Sequence, residues 1–285
     1  SEFVDTNHEW IYSRTGIEER HISTDESTLD LAYEASIRAI AAAKIDKNEI
    51  DLIIVATVTS DYAFPGVANL LQARLDIKGI TAFDINAACS GFLYALNIAD
   101  KMIKSGAYKN ALVIGAETFS RIMDWTDRAT CVLFGDGAGA LILEAEDGTG
   151  KATDRGILSV DLNSDGRYKD LLYVDGGVST QNSGMLRMQG KELFRHAVEK
   201  LAQTADTALE KAGLSADDVD WIVPHQANIR IIQSTAKKLK LSMEKVVLTV
   251  HDHGNTSAAS IPLALDKAVR SGQVKQGQTL MLEGV

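Results

Sequence analysis

Two cysteines in 285 residues are too few for a disulfide framework and point to a reducing compartment. Three prolines leave little material for stiff or disordered linkers, and 22 glycines are an ordinary share. No apolar run approaches the roughly 18 residues of a membrane-spanning helix. The longest, at 53–58, has the length of a strand. The opening residues Ser1-Glu2-Phe3-Val4-Asp5 lack a basic segment followed by an apolar one, so no secretory signal is visible. A cytoplasmic protein without membrane attachment is the expectation. Positive charge is also in deficit. Lys and Arg number 29 against 39 Asp and Glu, a net charge of -10, which argues against non-specific nucleic-acid binding.

What is present is an alternation. Short β-branched runs at 51–56, 80–85 and 111–115 alternate with helical spacing at 68–75 and 90–104. In the second of these helices apolar residues fall at 92, 93, 95, 96, 99, 102 and 103, and the pattern stops at Gly106. Such alternation predicts an α/β protein with buried, largely parallel strands. The pattern also repeats. The run at 50–55 resembles 219–223, and each follows a helix rich in Ala, Leu and Lys, at 31–44 and 192–211. The unit around Cys89 resembles the one around Asn255, and 111–114 resembles 279–282. The offsets, 51 to 220 and 111 to 279, are 169 and 168. Duplication follows, with one half at 1–150 and the other at 151–285. Two strand-like stretches are expected within 130–144 and another strand at 156–162. Their counterparts in the repeat lead us to expect further chain beyond both ends.

Cys89 lies in Asp84-Ile85-Asn86-Ala87-Ala88-Cys89-Ser90-Gly91, after a strand and at the opening of a helix. Free N–H groups and the helix dipole there favour thiolate over thiol. The small neighbours leave room for a substrate; a buried cysteine acting as a small hydrophobe is the alternative. Cys131, within an apolar stretch, reads as a structural residue of a strand. His225 and Asn255 each follow a predicted strand, the second at 246–250. All three groups therefore sit past the C-terminal ends of strands, where open α/β sheets build their sites. A thiol, an imidazole and an amide donor suit covalent acyl chemistry. A core histidine and a helix-capping asparagine would look the same. Gly135-Asp136-Gly137-Ala138-Gly139 precedes a strand rather than a helix, so it is no dinucleotide loop. Asn255-Thr256-Ser257 fits a glycosylation sequon, which a chain without a signal peptide would not use. His251 and His253, on one side of a strand, have no further spaced ligands, and we expect no metal.

Three stretches carry a resemblance: Ala87-Ala88-Cys89-Ser90-Gly91-Phe92, Val223-Pro224-His225-Gln226-Ala227-Asn228-Ile229-Arg230 and His253-Gly254-Asn255-Thr256-Ser257-Ala258-Ala259-Ser260. With Glu9-Trp10-Ile11-Tyr12-Ser13-Arg14-Thr15-Gly16-Ile17 and Phe134-Gly135-Asp136-Gly137-Ala138-Gly139, they resemble the β-ketoacyl-[acyl-carrier-protein] synthase III family of thiolase-fold condensing enzymes. The resemblance implies a duplicated, thiolase-like αβαβα layered fold with two similar halves. It implies a homodimer that initiates type II fatty-acid synthesis with acetyl-CoA, or another short acyl-CoA, and malonyl-acyl carrier protein as substrates and no bound cofactor. Cys89 would take the acyl group, and His225 and Asn255 would bind the thioester oxygen of the malonyl group as carbon dioxide leaves. Trp10 and Arg128 would sandwich the CoA adenine, with Arg14, Thr15 and Asn228 at the CoA mouth. Gln226, Ala227, Asn228, Ile229 and Arg230 would meet the carrier protein, joined by Arg195. Phe64 would reach across the dimer and close the acyl pocket. The family continues past 282–284 into a glycine-rich turn that supplies an oxyanion N–H, beyond Val285. A relative making a quinolone or polyketide starter is the alternative within the fold. A non-catalytic acyl-CoA or carrier-protein binding module is the alternative outside it, and a metal-dependent hydrolase is more remote. A thiolase would need a second cysteine near the C-terminus, which is absent here.

Overall fold

The computed structural model describes residues 3–151 and 154–285. The first half runs α1 (His8–Thr15), α2 (Thr28–Ala43), β1 (Leu52–Ala56), α3 (Val67–Arg74), β2 (Thr81–Ile85), α4 (Gly91–Lys104), β3 (Asn110–Glu117) and β4 (Gly137–Glu144). A small hairpin follows, β5 (Leu172–Val174) with β6 (Leu186–Met188). The second half continues with α5 (Gly190–Ala212), β7 (Trp221–Pro224), α6 (Ile229–Lys238), α7 (Val250–His253), α8 (Ser260–Arg270) and β8 (Leu280–Glu283). One sheet has the order β2-β1-β3-β4, parallel except for β4, and β7 pairs in parallel with β8.

The period-2 alternation of the strands distributes them between two cores. Ile53 and Val55 of β1 and Leu112 and Ile114 of β3 pack on α2 and α3. Leu52, Ile54, Ala111 and Val113, on the other face, pack on α4 and α8. Val223 of β7 joins that same central cluster, while Ile222 and Met281 face α5 and α6. The result is five layers: α2 and α3, the large sheet, α4 and α8, the small sheet, then α5 and α6.

The duplication is visible in the backbone. Elements begin with a constant offset of 169: β1 and β7 at 52 and 221, 3-10 turns at 47 and 216 and at 88 and 257, and α4 and α8 at 91 and 260. The left-handed residues that end α2 and α5, Lys44 and Gly213, keep the same offset. Asn255 is thus the counterpart of Asn86, and the counterpart of Cys89 is Ala258.

Four expectations need correction. The segment 156–162 forms no strand, because it has no ladder partner among the described residues. The strand expected at 246–250 shrinks to one parallel bridge between Val246 and Ile222, since Val250 already opens α7. His251 and His253 therefore lie on a helical turn, not along a strand. Of the two strands expected within 130–144 only β4 forms; Cys131 sits in a buried turn whose carbonyl accepts a 2.6 Å hydrogen bond from Arg20. Finally, the division at 150 is not spatial throughout. α1 packs on α6, where Gly16 meets Ile229 and the Arg230 guanidinium donates to the Ser13 carbonyl at 3.2 Å. Asp136, in the glycine-rich stretch, accepts from Ser23 and Ser120 and opens β4 rather than a phosphate cradle.

Candidate active site

Cys89 lies in a 3-10 turn, Ala88–Ser90, between β2 and α4. Ala88 takes a left-handed conformation at φ 45°, an unfavourable one for a residue with a Cβ, and it turns the chain sharply from strand into helix. No side chain caps the start of α4. Within the turn, Ser90 N–H donates to the Ala87 carbonyl at 3.2 Å and Gly91 N–H to the Ala88 carbonyl. The thiol is buried, and burial pushes it up to about 12, with the nearby Glu117 carboxylate adding to the rise and the Ser257 hydroxyl opposing it. Burial thus works against the thiolate that the helix start would favour.

The other half closes over this turn. The Cys89 thiol donates to the Ser257 hydroxyl at 3.8 Å. Ser257 N–H donates to Asn255 Oδ1 at 2.9 Å, which fixes the Asn255 amide with its oxygen engaged and its N–H2 end as the donor. The Asn255 backbone is held by the Leu133 carbonyl and by Gly135 N–H. The close fit depends on Gly115, where a Cβ would come 2.1 Å from the Ala258 carbonyl oxygen.

His225 follows β7 and is held by its own N–H, which donates to the Glu283 carbonyl at 2.7 Å. Gly284, just past the end of β8, lies against the Cys89 backbone; a Cβ there would meet the Cys89 carbonyl at 3.3 Å. Burial alone pushes His225 down to about 4, so it is neutral near pH 7. Its Nδ1 is buried with no hydrogen-bond partner among the described residues. A neutral imidazole with an uncommitted nitrogen and an amide N–H2 are fit to donate to an oxygen that gains negative charge. The turns that carry Cys89, His225 and Asn255 thus adjoin one another between the two sheets, past the ends of β2 and β7 and near the starts of α4 and α8.

Two residues of the site were missed in the sequence. Glu117 ends β3, fully buried, and accepts from the Thr59 hydroxyl at 2.6 Å, the Thr57 hydroxyl at 3.3 Å and Val58 N–H at 3.2 Å. Burial pushes its carboxyl up to about 7. The signal was an acidic residue closing the apolar run 111–116. Ser257 looked like part of a small-residue stretch, and no sequence pattern marks it. Asp84, the carboxylate nearest Cys89 in sequence, turns away and accepts from Val67 and Ala68 N–H at the start of α3, both at 2.7 Å.

At the surface, Trp10 is flanked by two guanidiniums, Arg14 at 4.7 Å and Arg128 at 4.8 Å from its ring centre. Arg230, exposed, joins them through its bond to α1, and Asn228 caps α6 by accepting from Ile231 N–H. Ala227 and Ile229 are half-buried. Two expected contacts do not face outward. Thr15 is buried, and its hydroxyl is spent on the Ile11 carbonyl and Ile17 N–H. Gln226 is 1% exposed; its amide donates to the Pro224 and Val247 carbonyls and accepts from Thr249 and Val250 N–H. It braces the turn that carries His225 and does not reach a partner. Arg195 is exposed on α5, which packs against α6. Phe64 is 86% exposed at the tip of a loop, and Tyr62 and Ala63 of that loop line a cleft of about 200 Å³ with Asn86.

Comparison with known proteins decides the family. Residues 83–166 match 3-oxoacyl-[acyl-carrier-protein (ACP)] synthase III, and residues 209–285 match its C-terminal counterpart. A curated β-ketoacyl-[acyl-carrier-protein] synthase III of Ruegeria pomeroyi is 65% identical over 99% of this chain and 88% of its own length. The chain belongs to the β-ketoacyl-[acyl-carrier-protein] synthase III family. The crystal structure of 3-oxoacyl-[acyl-carrier-protein] synthase III from Aquifex aeolicus superposes with a TM-score of 0.93 at 47% identity, covering 99% of this chain and 88% of that one. The priming β-ketosynthase of the R1128 polyketide pathway reaches 0.91 at 35% identity, covering 99% and 85%. The fold of this chain is therefore the duplicated thiolase-like fold, and the protein is a condensing acyltransferase. No described helix is long and apolar enough to cross a membrane.

Proposed function

We propose that this enzyme condenses a short acyl group, acetyl from acetyl-CoA, with malonyl-acyl carrier protein to give 3-oxoacyl-carrier protein, CoA and carbon dioxide, the first elongation of fatty-acid biosynthesis. Cys89 takes the acyl group from CoA as a thioester. The malonyl thioester then binds with its carbonyl oxygen toward His225 and Asn255. As the carboxylate leaves, charge develops on that oxygen, and two prepositioned donors hold it better than the ground state. The resulting carbanion attacks the acyl-Cys89 carbonyl. The reaction needs no bound cofactor. The observation that supports this reading is that the turns carrying a buried thiol, a neutral buried histidine and an oriented amide adjoin one another between the sheets.

The arginines around Trp10 suit the adenine and phosphates of CoA, and Arg230 suits the phosphate and acidic surface of a carrier protein. The exposed Phe64 suits a homodimer in which it reaches its partner's acyl pocket. A reducing cytoplasm fits two free cysteines. The test is a mixture of acetyl-CoA and malonyl-carrier protein with the enzyme. It should yield acetoacetyl-carrier protein with one carbon dioxide per turnover, whereas a binding module would yield neither and carry no acyl adduct.

A further inference from the structure

The helix start at Cys89 leaves the thiol proton without an evident acceptor. His225 is neutral but makes no hydrogen bond to the sulfur among the described residues. The bond that the thiol does make runs the other way, to Ser257 Oγ. On β3, Ala111 and Val113 face the central layer, so Gly115 and Glu117, in step with them, face it too. Gly115 abuts the Ala258 carbonyl, one residue from Ser257. Glu117 therefore stands on the strand face that carries the start of α8. Thr57 and Thr59 both bond its Oε2, while Oε1 receives only the shared Val58 N–H. Among the described residues no cation pairs with this carboxylate, and the Ser257 hydroxyl lies near enough to help hold it down against burial.

We propose that Ser257 and Glu117 form a proton relay for Cys89, with Ser257 the catalytic contact to the sulfur and Glu117 the residue that receives the proton behind it. The proposal rests on Cys89 being the acyl acceptor. In the step, the Cys89 S–H bond breaks and its proton goes to Ser257 Oγ. The Ser257 proton passes at the same time to a Glu117 oxygen. The freed sulfur pair forms the new C–S bond at the thioester carbonyl. The C–S bond to CoA breaks, and the departing CoA sulfur takes the proton back along the same path, leaving CoA as the thiol and Glu117 ionised. The relay separates no charge into bulk water, and a single negative charge is shared between the sulfur and the carboxylate. Both buried groups are raised by burial, and the thiol is raised further by Glu117, as expected of two groups that share one negative charge.

The test separates the two half-reactions. Acetylation is followed by rapid mixing with acetyl-CoA and intact-protein mass, and decarboxylation by carbon dioxide release from malonyl-carrier protein. Ser257→Ala keeps the backbone N–H that holds Asn255, and Glu117→Gln keeps size. Each should slow acetylation by about 10²-fold, the lower end for a lost general base. Decarboxylation should stay within about twofold in both. A solvent deuterium isotope effect on acetylation should be present in the wild type and lost in Ser257→Ala. Wild-type acetylation rates in folded Ser257→Ala overturn the relay, and so does equal slowing of both half-reactions. If Glu117→Gln does not fold, Ser257→Ala with its isotope effect decides alone. A wild-type enzyme that never acquires an acetyl group overturns the acyl-Cys89 reading itself, which the variants alone cannot do.

Discussion

Residues 88–91 and 257–260 trace one backbone twice. Each begins with a non-glycine residue in the left-handed region, Ala88 at φ 45° and Ser257 at φ 49°. Each makes a three-residue 3-10 turn and opens a helix with no side-chain cap. The chemistry differs: the first turn carries Cys89 where the second carries Ala258, and the second carries the Ser257 hydroxyl where the first carries Ala88. The strand ends diverge in the same way, with His225 standing where the first half has Ala56. Duplication supplied two uncapped helix starts facing one another across the central layer. Side-chain divergence then gave the thiol to one half and its polar surroundings to the other.

The sharpest way to break that comparison is to move the thiol. In Cys89→Ala combined with Ala258→Cys, the sulfur sits at an equivalent helix start but lacks the surroundings of residue 89. Condensation should fall by about 10³-fold or more, measured as acetoacetyl-carrier protein formed, with a thermal melt to confirm folding. Activity near wild type would make the helix start sufficient by itself. Next, His225→Ala and Asn255→Ala should each retain acetylation but lose about 10²–10³ in decarboxylation, measured as carbon dioxide release.

Glu283 sharpens the contrast between the strand ends by pH. It sits on the outer face of β8, Oε1 without a partner among the described residues, and burial pushes it up to about 8. A carboxyl raised in the folded state stabilises fully below its unfolded range, and that contribution is lost as pH rises toward 8. Glu283→Gln should therefore change stability little at pH 4.5 and raise it at pH 8.5 by about 2 kcal/mol, less than the full shift because a buried carboxylate relaxes toward water. Urea unfolding at the two pH values checks the sign. The smallest effect belongs to the surface. An acidic enzyme meeting an acidic partner needs a local basic patch. Arg230→Glu should weaken use of malonyl-carrier protein about fivefold at low salt while sparing acetylation. The deficit should shrink as salt rises. Arg230 differs in this from Lys237, Lys238 and Lys240, which are exposed further along α6 or just past its end.

The sequence carried the alternation, the duplication and the strand ends on which Cys89, His225 and Asn255 stand, because strand ends and helix starts are local signals. The offset near 169 anticipated the equivalence of β1 with β7 and α4 with α8. The five layers came only through resemblance, since periodicity says which residues are buried but not which helix covers them. Gln226 was misplaced for a related reason: a polar residue in a turn reads as exposed, and only the folded chain reveals that its four hydrogen bonds brace residues 224, 247, 249 and 250. Glu117 and Ser257 were out of reach because their meaning depends on a sulfur 28 residues before one and 168 residues before the other.

Cys89 and Cys131 offer the most direct test, being two buried thiols in one chain, only one of them between the halves. Wild-type protein mixed with acetyl-CoA, digested and mapped by mass spectrometry should carry one acetyl group per chain, on the peptide containing Cys89, and Cys89→Ser should carry none. An acetyl group on Cys131, or one that persists in Cys89→Ser, would contradict the account.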